Sequence, residues 1–180
     1  MADDRAPATV RDFLRHVVAT IAYRGGKALR GVPESFADYR CSPESRTPVE
    51  ILAHVGDLFE WAVHHMDGAH VWNESEPLPW SDEVERFFDG LRRVDERLAS
   101  GEPLGCSETR LFQGPFADSL THVGQIAMLR RMHGEPVKAE NYFQAEIESG
   151  RTGSEQAAPV REFDRPPVGS PKRWSRRRSK

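Results

Sequence analysis

Apolar residues recur at three- and four-residue spacings through four stretches of the chain, a period that predicts four helices. The first runs from about Thr9 to Leu29, with Val10, Phe13, Leu14, Val17, Val18, Ile21, Ala28 and Leu29 on one stripe. Gly25 and Gly26 interrupt it and weaken its last turn. The second opens at Thr47-Pro48-Val49-Glu50. A threonine cap, a proline at the first helical position and a glutamate three residues after the cap mark a capping box. Ile51, Leu52, Val55, Leu58, Phe59, Ala62 and Met66 carry that stripe onward. In the third, Ser81 is the expected cap, Asp82 and Glu83 suit the first turn, and Gly101 suits the stop. Its stripe is Val84, Phe87, Phe88, Leu91, Val94 and Leu98. The fourth starts near Pro115 and ends near Gly134, with Arg130 and Arg131 in its last turn.

These stretches predict an all-α protein, an antiparallel four-helix bundle over residues 8–147. A further short segment, about Glu140 to Glu148, is a candidate fifth helix, and no alternating pattern announces a strand. From Gly150 the composition turns to Ser, Gly, Pro and Arg, so residues 150–180 are expected to form a disordered basic tail.

Charge sharpens this division. The chain carries a net −3, yet its last ten residues hold six basic groups and no acid, which leaves −9 on residues 1–170. So acidic a body is poor footing for nucleic acid. Only the tail, with Trp174 among its basic residues, suits phosphate or an anionic lipid surface, and a solvated terminus is the plainer reading. No apolar run approaches the roughly 18 residues of a membrane span. The acidic start Met1-Ala2-Asp3-Asp4-Arg5 lacks a secretory pattern, which predicts a cytoplasmic protein without an integral membrane segment. Cys41 and Cys106 stand too far apart for a Cys-x-x-Cys site.

The chemistry-bearing pattern is Asp118 and His122, one helical turn apart and on one face. A carboxylate and an imidazole so placed are two of the ligands a metal needs. His54, at the edge of the second helix's apolar arc, is the candidate third. The same residues also suit a plainer account: a hydrogen-bonded histidine at a helix interface, and a first-turn carboxylate facing the helix dipole. Gln125, three after His122, is positioned to hydrogen-bond it, and Asp57, three after His54, to orient that ring or to sit in solvent. His64, His65 and His70 lie too far along the second helix to share an ion with His54. Trp61, Trp72 and Trp80 suit either the mouth of a cleft or buried packing.

Leu52-Ala53-His54-Val55-Gly56 in a capped second helix, followed downstream by His122-Val123-Gly124-Gln125-Ile126-Ala127-Met128-Leu129-Arg130, resembles the DinB/YfiT-like superfamily over about residues 8–147. The resemblance implies a four-helix bundle of metalloenzyme type, with His54 as the second-helix ligand and His122 as the second histidine of a fourth-helix pair. Asp118 stands where that pair has its first histidine. Aspartate still ligates zinc, nickel or iron, and three protein ligands leave positions open for a small-molecule substrate. The activity implied by the resemblance is that of a metal-dependent hydrolase or a thiol-dependent transferase, with homodimers common. The rival from the same resemblance is a non-catalytic dimeric scaffold whose metal site has degenerated.

Overall fold

The computed structural model describes residues 9–164. Four long helices form the bundle: α1 (Val10–Leu29), α2 (Pro48–Met66), α3 (Trp80–Ala99) and α5 (Ala117–His133). A short helix α4 (Glu108–Leu111) precedes α5, joined to it by a five-residue stretch, Phe112–Phe116, in which the helix widens to a π turn. The start signals act as expected in α1 and α2. Thr9 with Asp12, and Thr47 with Glu50, each close a reciprocal capping box. In α3 the cap differs: Pro79 precedes the helix, Ser81 lies inside it, and the buried Glu83 carboxylate accepts the Leu78 N–H at 3.0 Å. Gly134 ends α5 in the left-handed conformation that a side chain would strain.

The ring of contacts runs α1, α3, α2, α5 and back to α1. Phe87 faces Gly25 while Asp95 pairs with Arg15, so α1 and α3 are antiparallel. His54 meets His122 and Trp61 meets Gly114, so α2 and α5 are antiparallel too. The other two faces pair helices in parallel: Ala53 lies level with Arg86 and Met66 with Arg97, and Phe13 lies level with Phe112 and Ala28 with Arg130. The cause is the connection 67–79, which climbs back along α2. His70 touches His65, Trp72 touches Trp61, and Ser75 reaches Asp57. The connectivity is therefore up-down-down-up, with Leu14, Val18, Ile21, Leu52, Val55, Phe59, Phe87, Leu91 and Ile126 in one core.

Two further sequence expectations change. Gly25-Gly26 does not interrupt α1, because helix α3 needs the space: a Cβ on Gly25 would sit 2.3 Å from Phe87 Cζ, in the buried core. Gly25→Ala is thus expected to cost about 1–3 kcal/mol by overpacking, despite alanine's better helix propensity. Gly26→Ala, whose nearest neighbour would be 3.5 Å away, should be neutral or mildly stabilising. Urea midpoints of the two variants check the contrast, and equal midpoints would sink the packing account.

The second change concerns the C-terminal region. Residues 139–164 form no helix of α type. Ala139–Glu140 pairs antiparallel with Glu162–Phe163, and Tyr142–Gln144 is a single 3-10 turn. Ion pairing carries this strap in place of an apolar face. The Lys27 ammonium donates to Glu140 at 2.5 Å and to Glu162 at 2.7 Å, and the Tyr23 hydroxyl donates to Glu140 at 2.6 Å. Thr152 is buried. The expected disorder from Gly150 therefore does not hold for residues 150–164, and the basic run 172–180 lies outside the described residues. Among the described residues no helix is long and apolar enough to cross a membrane.

Candidate metal centre

The capping box of α2 fixes the register of its second turn, where His54 projects toward α5. On the α5 side, the wide turn at Phe112–Phe116 contains Gly114 at φ −90° and ψ −105°, followed by Pro115, which cannot donate a backbone hydrogen bond. The buried Ser119 hydroxyl donates to the Pro115 carbonyl at 2.6 Å. This kinked, re-tied segment ends two residues before Asp118 and sets the angle at which Asp118 and His122 face α2. π turns inside helices recur at functional sites for this reason.

All three predicted residues come together. His54 Nε2 lies 3.7 Å from Asp118 Oδ2, and His122 Nε2 lies 3.3 Å from Asp118 Oδ1. The two imidazoles stand edge to face with centroids 4.8 Å apart. One ligand atom from each residue falls within 4.8 Å of the other two. Ligands about 2.1 Å from a shared ion lie about 3.4 Å apart in a tetrahedral site, so side-chain movements of about an ångström bring all three onto one ion. The Asp118 side chain is 46% exposed, against 22% for His54 and 12% for His122, so the cluster opens to solvent on the carboxylate side.

The donor set fits a divalent cation in its protonation as well as its spacing. His122 Nδ1 is 2.9 Å from Gln125 Oε1, so that amide oxygen can hold a proton on Nδ1 while Nε2, 3.3 Å from Asp118 Oδ1, serves as the ligating nitrogen. Burial holds the His54 imidazole below its ordinary pKa. The His122 and Arg46 charges act in the same direction, and Asp118 opposes them. The lowered pKa favours the neutral His54 imidazole, the form that ligates a metal.

The other sequence candidates separate. Trp72, from the 67–79 connection, stands 5.6 Å edge-on from His54 and 5.8 Å from Trp61, so Trp72 flanks the cluster and Trp61 packs behind Trp72. Trp80 packs instead against Phe36, and His65 and His70 pair with each other beyond the cluster. Asp57 does not orient His54, nor is it solvated. It is buried, with one oxygen bonded to Arg86 and the other accepting the Ser75 N–H at 3.1 Å. Sequence reasoning misses Arg86 and Arg46 as neighbours of the site. For Arg86 the available signal is the Glu83/Arg86 spacing of three on α3, and Arg46 has no signal in spacing at all. No family model matches this chain, and neither does any curated protein or solved structure.

Proposed function

We propose that this chain is a divalent-metal protein of the DinB-like type, a hydrolase or thiol-dependent transferase acting on a small molecule, with His54, Asp118 and His122 as ligands. The observation that carries the reading is the convergence of these three side chains from two helices within 4.8 Å, with one face open. The order and spacing of the second-helix and fourth-helix motifs support the same assignment. Zinc, nickel or iron each accepts two imidazoles and a carboxylate. Such an ion supplies Lewis acidity, which activates a water or thiol and polarises a substrate oxygen.

The chain's own groups prepare the site. Gln125 is placed to hold a proton on His122 Nδ1, Trp72 stands edge-on against His54, and the exposed Asp118 edge leaves the approach for substrate. Elemental analysis of protein purified without chelator or metal-affinity tag tests the reading directly. About one equivalent of metal is expected in the wild type and little in His122→Ala. Negligible metal in both, even after incubation with zinc, nickel and iron, would refute it.

A further inference from the structure

Beside the candidate metal cluster, Cys41, Ser45, Arg46, Ile51 of α2 and the outer face of α5 line an open groove of about 580 Å³. Small-ligand sites run to roughly 300–1,000 Å³. Its α5 wall runs from Thr121 through Gly124, Gln125 and Met128 to Met132, a strip about 16 Å long at 1.5 Å per residue. The floor is apolar, made by Ile51 and Leu129, both buried beneath the surface. Met128 and Met132 each remain 52% exposed, large apolar side chains with nothing over them among the described residues. Methionine's flexible thioether adapts to an unbranched apolar ligand better than branched side chains do. At Gly124 a Cβ would meet nothing within 4 Å, so the groove is open at its middle.

One cation and no carboxylate lines this groove. Arg46 is exposed, and no carboxylate of the described residues lies within ion-pairing distance of it. Gln125 belongs both to the groove and to the hydrogen bond with His122, so the groove and the cluster share a wall. A single guanidinium in an apolar channel that abuts the cluster matches a single anionic head on an apolar body.

We propose that this groove binds aliphatic carboxylates of medium chain length, with the carboxyl end at Arg46 beside the His54–Asp118–His122 cluster and the chain along Met128 and Met132. The placement of the head as the reacting end rests on the metal-centre reading; the binding of the chain does not.

The test is calorimetric titration of octanoate and of octan-1-ol into the full chain, stripped of metal and again after zinc loading. The wild type is expected to bind octanoate more tightly than octan-1-ol. Gly124→Leu should weaken octanoate at least about tenfold by filling the channel, since a leucine side chain takes the ligand's place. A helix-favouring leucine at an open position should leave the urea midpoint unchanged or raised and zinc uptake unchanged. Arg46→Gln should bring octanoate and octan-1-ol to within about twofold of each other, because an exposed guanidinium contributes modestly. Absence of octanoate binding in the wild type, equal binding in Gly124→Leu, or no preference for octanoate over octan-1-ol would each overturn the proposal. So would a wild-type dimer in sedimentation that Gly124→Leu dissociates, which would make the groove an interface between copies. Octanoate binding by a protein that takes up no zinc supports the groove and refutes only the metal centre.

Discussion

Arg130→Met should lower the unfolding free energy by about 2–4 kcal/mol, seen as a shifted urea midpoint at constant slope. Arg130 is buried near the C-terminal end of α5, yet its guanidinium works mainly on another helix. Nη1 donates to the carbonyls of Ala28 at 2.9 Å, Arg30 at 3.0 Å and Lys27 at 3.4 Å, the last turn of α1 and the residue beyond it. Nε donates to the Glu135 carbonyl at 3.0 Å, just past the end of its own helix. The last carbonyls of a helix have no partner inside it and form the negative end of its dipole. Because α1 and α5 run parallel, both ends stand side by side, and one planar cation serves both. Burial pulls the Arg130 pKa down, opposed by the charge of Glu135, but an arginine stays protonated. Methionine keeps most of the volume and leaves those buried carbonyls without a donor. Arg130→Lys should recover less than half the loss, since an ammonium lacks the fork that spans several acceptors. A loss below about 1 kcal/mol for Arg130→Met would show that water replaces the guanidinium freely.

The helices and the three clustered residues are legible in the sequence because they depend on local rules. Periodicity marks the buried stripe of each helix, and Thr47-Pro48-Val49-Glu50 states where α2 begins. The Asp118/His122 pair is fixed to one face by helix geometry alone, and His54 is singled out as its partner by its place at the edge of the second helix's apolar arc. Periodicity reports faces but not directions. Nothing in the stripe of α3 says that residues 67–79 return along α2 and make the two helices parallel. Long-range polar ties are equally silent. Arg130 reads as a last-turn basic residue suited to its own helix dipole, and Asp57 reads as a surface charge, until the partner helix is in place. The strap of residues 139–164 escapes the pattern for a related reason. Lys27, Tyr23 and Glu140 hold it through hydrogen bonds, which leave no hydrophobic period to detect.

The same kind of tie, at Arg86, connects stability to the proposed metal centre. Its Nη1 donates to the Ala53 carbonyl at 3.0 Å, immediately before His54, and lies 3.5 Å from the buried Glu83 carboxylate. Its Nη2 bonds the buried Asp57 and donates to Ser75 Oγ at 3.2 Å, with Glu60 at 3.8 Å. The guanidinium thereby joins α2, α3 and the connection that carries Trp72 to His54. Burial works against its charge, but the bond to Asp57 and the charges of Asp57 and Glu83 together more than compensate, so the Arg86 pKa is raised. Arg86→Met would strand two buried carboxylates without a cation, and we expect a loss of about 3–5 kcal/mol. Combining it with Asp57→Asn and Glu83→Gln removes the stranded charges and should restore a substantial part of that loss, whereas additive costs would contradict the charge argument. Under conditions where the single variant is still folded, zinc affinity should fall about tenfold or more, as it does when groups that position ligands are lost. Tryptophan emission should shift toward the red as Trp72 leaves its partners. An Arg86→Met protein that binds zinc as tightly as the wild type would show that the 67–79 connection does not help shape the cluster, leaving the π turn before Asp118 as its remaining support.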